Sequence, residues 1–159
     1  MAGEPGHTCR RGERCAADYQ ARISGPLMDR IDLRVEVPAV SAVDLMTPAS
    51  GGETSAAVAA RVAAARSVQA ERYAKLGLHI TTNALAPHTV IEDVAKPDAA
   101  GQQLLRDAAD ALKFSARGYH RILKTARTLA DLEGRDTVGR IHLAEAISYR
   151  MAGQRLATA

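Results

Sequence analysis

Aromatic residues make up only 3% of these 159 residues, with four tyrosines, one phenylalanine and no tryptophan. Apolar residues reach 47%, but alanine supplies much of that, which favours closely packed helices over a sheet sandwich. Cysteine is equally scarce. Cys9 and Cys15 are the two present, too few for a disulfide framework in a chain of this size, which fits a reducing compartment. No uncharged apolar run approaches the ~20 residues of a membrane span, and Met1-Ala2-Gly3-Glu4-Pro5-Gly6-His7 lacks the apolar centre of a signal peptide. The expected location is therefore the cytoplasm, with no membrane partner. A phosphate-cradling loop is also missing. Such a loop needs glycines ahead of a lysine, so that bare amides reach the phosphates, and none of the four lysines, Lys75, Lys96, Lys113 and Lys124, follows a glycine. Val90-Ile91-Glu92-Asp93 is too short, and its acids stand in the wrong order, for the acidic strand end that holds magnesium in phosphoryl-transfer sites.

What the chain does hold is enough for one modest core, which could be shared between the end of one domain and a second, smaller one. The net charge of +3 permits contact with nucleotides or nucleic acid without requiring it, because the arginines are scattered.

Along the chain, residues Asp18 to Arg30 suggest a short helix interrupted at Gly25-Pro26, where the proline cannot continue the hydrogen bonding but can start a new turn. Ile31 to Val37 alternates apolar and polar at period two, and Pro38 ends it, so one strand is predicted here. A single strand needs neighbours that the sequence does not otherwise supply, and in a longer protein it would join a parallel sheet formed upstream. Pro38 to Gly52 reads as a linker. Glu53 to Leu76 is the longest helical stretch, with Val58, Val62, Ala65, Tyr73 and Leu76 on one face, Arg61, Arg66, Arg72 and Lys75 turned away, and Gly77 as its stop. After an irregular passage through Asn83 and Pro87, a short helix near Val90 is followed by one opened by Pro97-Asp98, whose Gly101, Leu104, Leu105, Ala108 and Leu112 align. Two more helices follow, one from Ser115 and one over about Val138 to Met151, with Gly134 between them.

The Ser115 helix is the most informative. Ser115 is placed to cap it, and the positive end of its dipole lies beside Arg117, so amides and guanidinium together favour an anion. Tyr119, Ile122, Leu123, Ala126, Leu129 and Ala130 form its apolar face, while Arg117, Arg121, Lys124 and Thr128 fall on another. Taken singly, Arg121, Lys124 and Arg127 read as ordinary solvated charges.

The run Ser115-Ala116-Arg117-Gly118-Tyr119-His120-Arg121, continued by Ala126-Arg127-Thr128 and Ala130-Asp131-Leu132, resembles the second-sensor helix of AAA+ ATPases in the magnesium-chelatase-like group, in particular the ComM group, also called YifB. Tyr19 to Leu33, containing Ser24-Gly25-Pro26-Leu27-Met28-Asp29-Arg30, is similar to that family's arginine-finger segment, and His142 to Arg150 to its closing lid helix. The resemblance implies that Arg117 reads the ATP phosphates in cis with Ser115 as helix cap, and that Arg30 is an arginine finger acting in trans, oriented by Asp29. Without the resemblance, Arg30 would be read as pairing with Asp29 or Asp32. The resemblance further implies ATP and magnesium as cofactors of the intact protein, a homo-oligomeric ring expected to be a hexamer, DNA as its partner, and a missing N-terminal ATPase core. Neither ATP nor magnesium is expected to bind tightly to these residues alone, which are expected to be inactive.

His7, Cys9 and Cys15 offer three soft-metal ligands where tetrahedral zinc wants four. ComM-like proteins tend to carry a further Cys-x-Cys-Gly pair just upstream, and that pair is not in this chain. A partial zinc site is possible, and a loose loop with free thiols is the preferred expectation.

The expected architecture is mainly α: residues 1–37 as the remnant of an AAA+ α/β core (one strand, one short helix), 38–53 as linker, and 54–159 as a helical lid. The expected function is the lid and finger portion of a ComM-like DNA motor in uptake and recombination. A magnesium-chelatase ATPase subunit and a stand-alone helical DNA- or protein-binding module are the alternatives.

Overall fold

The computed structural model describes residues 21–35 and 51–151, together with Asp18, Val37, Val40, Leu45 and Met46. Among them the chain is mainly helical. Six helices run in the order α1 (Gly25–Met28), α2 (Ser55–Lys75), α3 (His88–Val94), α4 (Ala99–Leu112), α5 (Ala116–Leu132) and α6 (Arg140–Met151), with a 3-10 turn at Asn83–Leu85. None is long and apolar enough to cross a membrane.

The helix starts follow from side chains that satisfy first-turn amides. Ser24, Thr54, Asp98 and Ser115 each accept an amide three residues on, opening α1, α2, α4 and α5, as capping chemistry requires. Pro26 stands in the first turn of α1, where a missing N–H costs nothing. The stops are equally local. Gly77 and Gly134 take left-handed φ of 70° and 67° just past α2 and α5, a conformation in which a side chain would be strained. At the end of α4 the same role falls to Lys113, at φ 47°.

Helix α5 is the centre of the bundle, packing against α2, α3, α6 and the 3-10 turn, while α4 packs on α6. Its Ile122, Leu123, Ala126 and Ala130 meet Tyr73 of α2, Ile91 of α3, Leu105 of α4, and Leu143, Ala146 and Ile147 of α6 in one core. Gly101 permits the α4–α6 approach: a Cβ there would lie 2.9 Å from Leu143 Cδ1 and 3.0 Å from Pro97 Cβ.

Several expectations change. The stripe on α2 is real, but only Ala65, Gln69 and Tyr73 are buried, while Val58, Val62 and Leu76 stay exposed. Covering neighbours reach only the C-terminal half of this helix. The alternating segment from Ile31 forms no strand over residues 31–35, because no second strand lies beside it among the described residues. The Arg34 amide instead donates to the Tyr149 carbonyl of α6 at 3.0 Å.

The core also holds a charge cluster. Asp131 has no exposed side-chain surface and accepts from Arg72 of α2, from Arg127 Nε at 3.1 Å, and from Asn83 Nδ2 at 2.9 Å. Arg127, expected to be solvated, is 1% exposed; its other nitrogens donate to the Asp136 and Arg135 carbonyls, tying the end of α5 to the following loop. Arg72, expected to turn away, reaches inward to Asp131. Asn83 completes the cluster, accepting from Tyr73 Oη at 2.8 Å and donating to Thr128 Oγ1 at 2.9 Å, while its amide donates to Gln69 Oε1 at 3.0 Å. The hydrogen bonds and charge of Asp131 hold the Arg72 guanidinium above its ordinary pKa, whereas burial lowers that of Arg127 despite Asp131.

Removing one partner of such a pair leaves a buried charge uncompensated, so Asp131→Ala is expected to cost about 3–5 kcal/mol, read by urea unfolding. Burial raises the pKa of the Tyr73 phenol. A raised folded pKa gives stability that is complete below the unfolded value of about 10 and is lost as pH rises through the folded one. The stability advantage of the native chain over Tyr73→Phe, about 1 kcal/mol near neutrality, is therefore expected to shrink as unfolding is followed upward past pH of about 10.

Candidate anion site at the start of helix α5

Ser115, in extended conformation, accepts the Gly118 amide at 3.0 Å and so fixes the first turn of α5. Arg117 follows one residue inside the helix, exposed and with no hydrogen-bond or ion-pair partner among the described residues. It lines an open groove of about 630 Å³ that α5 shares with Ala84, Ala86, Pro87, His88, Asp32, Leu33 and Tyr149. His120, Arg121, Lys124, Thr125 and Thr128 continue the same wall, and Leu129 and Leu132 give it an apolar end. The groove therefore joins an apolar surface to a cationic one, with Arg117 as its uncommitted cation.

The other cations of the wall are held. Lys124 Nζ donates to the Ala84 carbonyl at 2.8 Å, and burial with the neighbouring Arg121 guanidinium lowers its pKa. Arg121 pairs with Asp32, and His120 Nε2 lies 2.7 Å from Glu92 Oε1. Arg121 and Lys124 are thus half-buried and engaged, not the free surface charges expected.

The segment carrying Arg30 docks on this helix start. The Ser115 hydroxyl donates to Asp29 Oδ2 at 3.0 Å, and Arg150 Nη2 of α6 donates to Asp29 Oδ1 at 2.6 Å. Arg34 Nη2 donates to the Met28 carbonyl at 3.2 Å. Burial lowers the Arg34 pKa, helped by Arg150 and opposed by Asp29. Gly118 makes room for the Arg150 guanidinium, since a Cβ there would stand 2.9 Å from Nη2 and 3.2 Å from Cζ.

Arg30 itself is exposed. Asp29 and Asp32, the carboxylates that could have neutralised it, are engaged by Ser115 with Arg150 and by Arg121. Asp29 forms no hydrogen bond or ion pair with Arg30; its partners are Ser115 and Arg150. His7, Cys9 and Cys15 lie outside the described residues, among which no group of three or more His, Cys, Asp or Glu is arranged to hold a metal ion. Arg150 and Gly118 were not picked out from sequence, although the spacing Arg117-Gly118, with a glycine in a helix's first turn, marks a place where something approaches closely.

These features define a class: a helical bundle whose capped central helix carries an exposed arginine at its start, with a docked segment that presents Arg30 without a side-chain partner among the described residues. Residues 52–150 match the family described as magnesium chelatase, subunit ChlI C-terminal, and residues 1–45 match magnesium chelatase, subunit ChlI. The chain belongs to this magnesium-chelatase-like family. It is 39% identical to the competence protein ComM of Haemophilus influenzae over 83% of its own length and 25% of ComM. It is 38% identical to the uncharacterized protein YifB of Salmonella typhimurium, over 91% of its length and 28% of that protein. The chain thus spans about a quarter of these curated relatives.

A methyl group at position 118 would collide with a buried, ion-paired guanidinium. Gly118→Ala is therefore expected to destabilise the chain by about 1–2 kcal/mol, where helix propensity alone would give a gain of about 1 kcal/mol, as measured by urea unfolding.

Proposed function

We propose that the chain is the lid and arginine-finger portion of an AAA+ ATP-driven motor of the ComM kind, a ring-forming protein, expected to be hexameric, that acts on DNA during uptake and recombination. In this reading residues 1–37 close the ATPase core, 38–53 link it to the lid, and 54–159 form the lid. The observation that carries the reading is Arg117: exposed, partnerless among the described residues, and one step inside a capped helix of 17 residues. A guanidinium beside the positive end of a helix dipole suits a phosphate, so the residues present fit ATP on this side.

ATP with magnesium supplies the transferable phosphoryl group and the free energy. Arg117 and the α5 amides would hold its terminal phosphate oxygens, and Arg30 would stabilise charge developing on the nucleotide of a neighbouring copy. The phosphate loop and the acidic strand end would come from elsewhere in the protein, so this chain alone is not expected to hydrolyse ATP. His7, Cys9 and Cys15 are kept only as a partial zinc site.

Arg117→Ala in the full-length protein is expected to lower ATP turnover by about 10²-fold or more, with unchanged circular dichroism because the side chain is exposed. Unchanged turnover, or loss of helicity, would contradict the sensor role. DNA binding that weakens steeply with salt and ignores nucleotide would point instead to a binding module without ATPase function.

A further inference from the structure

Of the four lysines, Lys124 is the one that stands in the groove along α5. Lys75, Lys96 and Lys113 are exposed, whereas Lys124 is half-buried. Its Nζ donates to the Ala84 carbonyl at 2.8 Å, which holds the amine at the wall of a cavity of about 630 Å³. The charged and titratable groups that face this cavity with it are Arg117, His120 and Arg121 from α5, His88 from α3, Tyr149 from α6 and Asp32 from the docked segment. Asp32, the one carboxylate among these described residues, is already paired with Arg121. Cations therefore dominate the cavity, and its far end at Leu129 and Leu132 is apolar. A cleft lined by one sign of charge, with low-dielectric walls, concentrates small ions of the other sign.

The neutral amine is the nucleophilic form of lysine, and the surroundings of Lys124 favour it. Burial lowers its pKa, the neighbouring Arg121 guanidinium adds to this, and Asp32 opposes it. The tie to Ala84 does not require the ammonium, because a neutral amine has an N–H for the carbonyl and a lone pair besides.

We propose that Lys124 is an acylation site: the groove collects a small acyl phosphate, and the Lys124 amine attacks its carbonyl carbon. The Nζ lone pair forms the C–N bond, the bond from that carbon to the bridging oxygen breaks, inorganic phosphate leaves with the electron pair, and the proton lost from nitrogen passes to water. Arg121, beside the amine, meets the charge that gathers on the departing phosphate. The product is a neutral amide that keeps one N–H for the Ala84 carbonyl, while the groove loses one positive charge. None of this depends on the roles given to Arg30 and Arg117.

Exposure alone ranks the lysines in the opposite order, so the test lies within one molecule. The full chain is incubated with acetyl phosphate at mildly alkaline pH, and acetylation at each lysine is followed by peptide mass spectrometry. Lys124 is expected to react about tenfold faster than Lys75 or Lys113, the lower end of what charge focusing in a cleft gives. Lys96 is the closest control, because it lines a smaller cleft in which Glu92 and Asp93 stand with Arg106, and it is expected to react no faster than the other two. Arg121→Gln is expected to abolish the preference and Asp32→Asn to increase it, with circular dichroism showing that both variants keep their helices. Added salt screens the cleft and is expected to narrow the difference. With the uncharged acetyl ester of N-hydroxysuccinimide, the preference for Lys124 is expected to shrink; an equal preference with both reagents would contradict capture of the anion. Reaction at Lys124 no faster than at the three exposed lysines would overturn the proposal, as would a preference that neither substitution nor salt alters.

Discussion

A carboxylate with no exposed surface must be neutralised where it stands, and Asp131 is neutralised by two guanidiniums from different parts of the chain. Arg72 comes from α2 and Arg127 from the preceding turn of α5, while Asn83 adds an amide from the 3-10 turn. Satisfying this one charge fixes how three elements meet. A cluster that is fully paired specifies one arrangement, because any slip of α2 along α5 would leave charge buried and unpaired.

From that anchor the orientation of α5 follows, and with it the functional end. Asp131 and Ser115 stand at opposite ends of the helix, so a helix pinned at its C-terminal end by charge presents a defined N-terminal end to the groove. There the second set of ties takes over. Asp29 bridges Ser115 and Arg150, and Asp32 holds Arg121. The arrangement leaves Arg30 and Arg117, which flank these ties, exposed and without a side-chain partner among the described residues.

Much of this was legible locally. The caps at Ser115 and Asp98, the stops at Gly77 and Gly134, and the close-packed line through Gly101, Leu105 and Ala108 are written in short-range patterns, and the structure uses them as such. The α2 stripe was legible as a pattern but not in how far it is covered, since only the C-terminal half has neighbours. Arg72 and Arg127 were misread because helical periodicity assigns a charge to a face without saying whether a counter-charge waits there. Gln69, a polar residue set between Ala65 and Tyr73 on an apolar stripe, was the available hint of a buried polar cluster. The ties of Asp29 run to residues 86 and 121 positions away, beyond the reach of any local pattern. The alternation of Ile31 to Val37 carries no information about whether a neighbouring strand is present, and among the described residues none lies beside residues 31–35.

In the proposed function, α5 presents Arg117 as half of a nucleotide site completed by an ATPase core. The most direct measurement is titration of a fluorescent ATP analogue into this chain alone and into the same chain extended upstream through a phosphate-binding loop. Binding only by the extended form, weakened by Arg117→Ala, is the result the account predicts. Equally tight binding by the short chain would contradict it, since the site would then be complete without the core.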